Sequence, residues 1–189
     1  VNLVLCIAII LPFSIEIIRR DPGSALPNVS SALLGTLYAG WLFGRHLLLI
    51  IQMPNGGHLI FFLMGIAWSG DIGAYLIGRS FGKHKIIPAI SPGKSVEGYI
   101  AGIVFSCITA LALRYWLLPD LRLLHTIILG VGLAIIGQIG DLAESLLKRG
   151  ANVKDSGSLM PGHGGILDRC DSLIFMTPVM YYYIRLIGL

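Results

Sequence analysis

The side chains able to do chemistry crowd into one stretch of this 189-residue chain. Asp141, Glu144, Ser145 and Lys148 stand at i, i+3, i+4 and i+7, a spacing that puts all four on one face of a helix. The segment that follows carries Arg149, Lys154 and Asp155, then the turn Pro161-Gly162-His163-Gly164-Gly165, then Asp168, Arg169 and Asp171. Asp168 and Asp171 lie at i and i+3 on the start of a predicted last helix, where carboxylates can converge on a hard divalent cation. Mg²⁺ takes oxygen ligands, usually one or two carboxylates plus substrate phosphates. The glycine-rich turn can offer successive backbone N–H groups to an anion just before that helix. Lys148, Arg149, Lys154 and Arg169 surround it with positive charge. Acids for a metal and bases for phosphate suit phosphoryl or nucleotidyl transfer. For any one of these residues a plainer account exists, such as a solvated loop, an N-capping Asp168 or a turn-stabilising His163. That account does not cover the ensemble beside Asp141.

A second basic segment runs from Gly78-Arg79 through Lys83-His84-Lys85 to Ser91-Pro92-Gly93-Lys94-Ser95 and Glu97. Gly93-Lys94-Ser95 imitates the end of a Walker A loop, but the first glycine of that motif would fall on Pro88, and no parallel strand precedes it. Two readings stand. Either Lys94 and Ser95 contact phosphates near a helix start with Glu97 as a capping partner, or this is an ordinary basic loop with a Ser/Glu cap. Upstream, Asp71 and Tyr75 share a helix face at i and i+4. Gly70, Gly73, Gly137 and Gly140 flank the two apolar-segment aspartates, serving either helix packing or the site.

The elements that must position these groups follow from composition. The chain is 55% apolar and 13% charged with a mean hydropathy of +0.80, against roughly 25% charge in soluble domains. Disorder requires the opposite balance. Cys6, Cys107 and Cys170 are an odd number without a CxxC pair, which excludes a disulfide scaffold or zinc site of that kind. The net charge of +4 is not gathered into a basic, aromatic-interleaved patch, so no nucleic-acid partner is expected. Six apolar segments, at about 1–18, 31–51, 58–78, 98–118, 123–147 and 172–188, approach the ~20 residues needed to cross a bilayer. Helices are the structure open to them, because their backbone groups find no water in hydrocarbon. The expected fold is therefore an all-α polytopic membrane protein with about six transmembrane helices and a polar chamber open to the cytosol. Its expected divisions are N-terminal membrane helices over 1–57 and a catalytic membrane domain over 58–189.

Charge orients the spans. The loops at 19–29, 79–97 and 148–171 hold ten of the fourteen Lys and Arg residues, and strict alternation puts all three on one side. The positive-inside rule makes that side cytoplasmic. Asp71 precedes Arg79 by eight residues and Asp141 precedes Lys148 by seven, so each sits roughly 10–12 Å from its helix end at 1.5 Å per residue. A carboxylate at that depth normally faces a cavity or a partner. Arg45, Arg114 and Arg185, within or near spans, read as snorkelling or interhelical pairing. The opening run from Val1 has no basic n-region and no small-residue cleavage site, so it is not a signal peptide. It reads as a span of a longer polypeptide of which this chain is the C-terminal part.

Ser145, Lys148, Arg149, Lys154, Asp155, His163, Gly164, Gly165, Asp168, Arg169 and Asp171 closely resemble the signature of phosphatidate cytidylyltransferases, also called CDP-diacylglycerol synthases. So do Gly70, Asp71, Gly73, Ala74, Tyr75, Gly78, Arg79, Gly82 and Lys83, followed by Ser91, Pro92, Lys94, Ser95, Glu97 and Gly98. The resemblance covers about residues 65–175; its one departure is Gly93-Lys94-Ser95 where family members often have Lys-Thr, and serine keeps the hydroxyl. It implies a membrane enzyme that takes CTP and phosphatidate to CDP-diacylglycerol and pyrophosphate with Mg²⁺, alongside a monovalent cation such as K⁺. It also implies metal ligation by Asp141, Asp168 and Asp171, and an active region containing Lys148, Arg149, Lys154, Asp155, His163 and Arg169. Asp71, Lys94, Ser95, Glu97, Glu144 and Ser145 are expected at the substrates. A homodimer follows from the family alone, and the expected location is the bacterial inner (plasma) membrane with the site facing the cytoplasm. Two alternatives remain: a CTP-dependent transferase on another lipid phosphate, such as CDP-archaeol synthase, and a cation-coupled transporter using Asp71 and Asp141.

Overall fold

The computed structural model describes residues 2–157 and 165–188, so the expected anion-binding turn around His163 lies outside the described residues. Helices follow one another in the order α1 (Asn2–Arg19), α2 (Pro22–Gly35), a π-helical stretch (Thr36–Arg45), α3 (His46–Ile51), α4 (Gly56–Phe81), α5 (Val96–Leu117), α6 (Leu123–Gly150) and α7 (Leu167–Ile187). Among the described residues there is no strand, only an isolated antiparallel bridge between Lys85 and Ser95. The all-α expectation holds.

Four stretches are long and apolar enough to cross a membrane: Pro22–Ile51, Gly56–Phe81, Val96–Leu117 and Leu123–Gly150. They take in four of the six expected segments. The segments expected at 1–18 and 172–188 form α1 and α7, but neither is among the four. In α7, Asp171, Arg185 and the run Tyr181-Tyr182-Tyr183 dilute the apolar content.

The chain divides into two compact units, Val1–Arg45 and His46–Leu189. In the second unit α3 rests on α4 and α7 and buries His46 and Ile50. In the first unit the expected 19–29 loop shrinks to a sharp turn. Arg20 takes a left-handed φ of 57°. Asp21 caps α2, its carboxylate accepting from the Gly23 N–H at 3.1 Å and the Ser24 hydroxyl at 2.7 Å. Pro22 then supplies the first helical residue, where its missing N–H costs nothing. Those residues carry a legible start signal, Asp-Pro, which charge counting alone passes over.

In the second unit the close helix contacts run through small residues. A methyl group placed on Gly102 would stand 3.0 Å from the Gly70 carbonyl oxygen and 2.8 Å from Nε2 of Gln138, so α4 and α5 meet there backbone to backbone beside the Gln138 side chain of α6. Gly140 similarly brings α6 within reach of the Asp171 carbonyl on α7. Helix packing is thus what these glycines provide, and it is also what brings the aspartates of three helices close. Gly102→Ala is expected to lower stability by about 1–3 kcal/mol through overpacking against the Gly70 carbonyl, which cannot swing away. Gly132→Ala, whose new methyl meets nothing within 4 Å, should be neutral or mildly stabilising. Thermal unfolding in detergent compares the two; equal midpoints would show that the helices can separate freely at Gly102.

Candidate active site

A cleft of about 610 Å³ opens between α4, the 82–95 connection, the start of α5 and α6. Asp71, Tyr75 and Arg79 line it from α4, Lys85 and Lys94 from the connection, Ser95 and Tyr99 at α5, and Gln138 and Asp141 from α6. Lys94 Nζ lies 2.5 Å from Oδ2 of Asp141, both side chains mostly covered. Asp141 acts electrostatically on Asp71 and on Asp171, so three carboxylates from three helices share one region with Lys94 among them. Ser95 is buried and caps α5, its hydroxyl accepting from the Gly98 N–H at 3.2 Å.

Behind this cleft Lys148 is held between two carboxylates, 2.5 Å from Oε2 of Glu144 and 2.8 Å from Oδ1 of Asp168. Glu144 is only 1% exposed. Asp168 is saturated with donors: besides Lys148, Oδ2 accepts from the Ser156 N–H at 2.9 Å, the Ser156 hydroxyl at 2.7 Å and the Gly165 N–H at 2.7 Å. Burial alone would raise Asp168, but Lys148, Ser156 and the Gly165 amide outweigh it and hold the carboxyl well below the usual carboxylate range. Asp168 therefore ties the segment after α6 to the first turn of α7.

A cytidylyltransferase family model matches residues 1–187. The chain belongs to the cytidylyltransferase family. It is similar to phosphatidate cytidylyltransferase of Bacillus subtilis (strain 168), 40% identical over 153 residues that cover 81% of this chain and 57% of the relative. The enzyme of that name from Staphylococcus aureus (strain COL) is 49% identical over 128 residues, covering 67% of this chain and 48% of the relative. The uncharacterized protein YnbB of Escherichia coli (strain K12) is 39% identical over 177 residues, covering 90% and 58%. The chain thus spans about half the length of the curated relatives it matches.

Within this cytidylyltransferase-family fold the expected residues separate into groups. Asp71, Lys94, Ser95 and Asp141 meet at the cleft, and Glu144, Lys148 and Asp168 form the ion cluster behind it. Ser145 is half-buried on α6. Arg149 reaches across to the other basic segment, its Nε donating to the Ile90 carbonyl at 3.5 Å. Lys154 and Asp155 are exposed, as is Arg169 at the start of α7. Glu97 turns away from the helix start, towards the amides of Lys83 and His84. Residue 163 is not described.

Sequence reading missed Gln138 and Tyr99, which bridge α5 and α6 reciprocally: Gln138 Nε2 donates to the Tyr99 carbonyl at 2.9 Å and the Tyr99 hydroxyl donates to the Gln138 carbonyl at 3.3 Å. The signal was present, since Gln138 is a polar residue three positions before Asp141 in an apolar helix. Tyr75 and Arg79, linked by a 2.7 Å hydrogen bond along α4, also line the cleft.

Carboxylate oxygens are the ligand type that a hard cation takes. Among the described residues no three His, Cys, Asp or Glu side chains gather at metal-ligand spacing, and the oxygens of Asp168 already serve four donors. Asp71 and Asp141 line one cleft, and Gly140, next to Asp141, packs against the Asp171 carbonyl of α7. Two carboxylates plus substrate oxygens are an ordinary Mg²⁺ environment. Asp168→Asn keeps the size of the side chain but turns an amide towards backbone N–H donors. It is expected to cost about 1–3 kcal/mol of stability along with activity. Lost activity with an unchanged unfolding midpoint would instead assign Asp168 to the reaction alone.

Proposed function

We propose that this chain carries the catalytic part of a phosphatidate cytidylyltransferase. A phosphate oxygen of phosphatidate attacks the α-phosphorus of CTP, forming a new P–O–P bridge. The α–β bridging bond breaks, and CDP-diacylglycerol and pyrophosphate result. The attacking oxygen is already anionic at neutral pH, so no strong general base is needed. The barrier is electrostatic, one anion approaching another.

The observation that carries this reading is one cleft lined both by Asp71 and Asp141 and by Lys85, Lys94 and Arg79. In it Lys94 would hold phosphate oxygens once released from Asp141, while Arg79 and Lys85 spread the charge of the leaving pyrophosphate. Asp141 and Asp171 are the residues that would hold Mg²⁺, which supplies Lewis-acid neutralisation of the reacting phosphates. Lys148, fixed by Glu144 and Asp168, places one cation on the α6–α7 side of the site. Arg149, Lys154 and Arg169 add to the same field on the side proposed to face the cytoplasm. A K⁺ requirement and a homodimer belong to the same proposal and rest on the family resemblance.

Purified protein incubated with labelled CTP, Mg²⁺ and phosphatidate in mixed micelles is expected to form lipid-linked CMP. Offering an ether-linked lipid phosphate in parallel separates the two lipid classes. No lipid-linked CMP from either substrate would overturn the reading, and exclusive use of the ether lipid would move it to the related transferase.

A further inference from the structure

Glu97 is the second residue of α5, whose cap is Ser95. A reciprocal capping box needs its acid three residues beyond the cap, a position held here by Gly98. The Glu97 carboxylate does something else. Oε2 accepts from the Lys83 N–H at 3.2 Å, both oxygens accept from the His84 N–H at 3.3 Å, and Oε1 lies 2.6 Å from Nδ1 of His84. One side chain at the start of α5 thus holds the first residues after α4.

The connection between these points closes on itself at its neck. The Val96 N–H donates to the His84 carbonyl at 2.9 Å and the Ile86 N–H to the Lys94 carbonyl at 3.3 Å, with Lys85 and Ser95 paired across the neck. Both neck lysines, Lys85 and Lys94, line the cleft. Lysine is a flexible four-carbon stem whose charge is placed only as well as its backbone is. The neck has just two backbone hydrogen bonds of its own, too few to fix a short two-stranded segment in water.

We propose that Glu97 is a positioning residue: through the amides of Lys83 and His84 it locks the 83–95 neck so that Lys85 and Lys94 face the cleft as a preset pair for a polyphosphate. It does not touch the substrate. The inference rests on reading the cleft as the CTP site. It explains why an acid stands beside a site for anions, where a directly contacting carboxylate would repel them.

The test is the split between binding and turnover. Glu97→Gln keeps one acceptor oxygen but sets an NH₂ against N–H donors. It is expected to raise the KM for CTP about tenfold, with a parallel rise in the Kd of CTP–Mg²⁺ by calorimetry, while kcat stays within about threefold. His84→Ala removes only the imidazole contact and should raise KM about two- to threefold with kcat unchanged. This milder variant carries the test should Glu97→Gln fold poorly. Backbone amides of 83–96 should exchange faster with solvent in Glu97→Gln than in the parent. Unchanged KM and Kd in both variants, or a fall confined to kcat, would overturn the positioning role. A parent protein that neither binds nor turns over CTP would overturn the reading of the cleft, and the inference with it. Normal parent turnover with indifferent variants would sink the inference alone.

Discussion

Asp141→Asn is expected to reduce kcat by on the order of a thousandfold, with the protein still folded and membrane-inserted. The substitution exchanges one oxygen for an NH₂ group and removes one charge. Asp141 is the acid that faces Lys94 across the cleft at 2.5 Å, and it is the carboxylate acting on both Asp71 and Asp171. Asparagine fills the same space, and the cleft gives its amide access to water, so the fold loses little. Removing one of three crowded negative charges even relieves repulsion. The reaction fares otherwise, because a cation held by carboxylates contributes several kcal/mol to a transition state of this kind, and each 1.36 kcal/mol is a factor of ten in rate. Asparagine cannot supply an anionic ligand. Labelled-CTP turnover beside thermal unfolding in detergent is the measurement. Turnover within tenfold of the parent would remove Asp141 from the reacting centre. Lys94→Met should differ in kind: it leaves the carboxylates without their cation, and so lowers CTP affinity and stability together.

Much of this arrangement could be read from residue order alone. Helical periodicity put Asp141, Glu144 and Lys148 on one face, and Glu144 and Lys148 do form an ion pair at i and i+4. Depth from the basic helix ends put Asp71 level with Asp141, and both line one cleft. What spacing could not supply is the choice of partner where several of opposite charge are available. Asp168 stands three residues from Asp171, which suggested joint metal binding. In space Lys148, Ser156 and Gly165 donate to the Asp168 oxygens, contacts that spacing along one helix does not reveal. The i, i+3 rule gives neighbours on one helix; it is silent about which of them looks towards the next helix. Glu97 was misjudged for a related reason, since a Ser and Glu near a helix start suggest capping until the count is made to the third residue. The close approaches at Gly102 and Gly140 were legible only as small residues, because what each admits belongs to a segment far away in sequence.

The second large effect is expected at Lys148. Lys148→Met should lower stability by about 3–5 kcal/mol, the usual result of stripping one partner from a buried ion pair. The cause is on the neighbouring turn: Glu144 is 1% exposed and Lys148 18%, so the carboxylate left behind reaches neither water nor another cation. Asp168 lies on the far side of the same ammonium group at 2.8 Å, and without it two acids face each other between α6 and α7. Activity should fall with stability, but the two losses have separate origins and can be parted. In Glu144→Gln/Lys148→Met the uncompensated buried charge is gone, and a glutamine–methionine pair fills nearly the same volume. The unfolding midpoint should then recover most of its loss, since an apolar replacement of a whole buried pair is often neutral or stabilising. Turnover should not recover, because the Lys148 cation behind the cleft is still missing. The double-mutant cycle on both readouts is therefore decisive. Additive stability losses would mean that Glu144 and Lys148 are not energetically coupled. Recovered turnover in the double variant would mean that Lys148 serves the fold alone, leaving Lys94 and Lys85 to carry the phosphates.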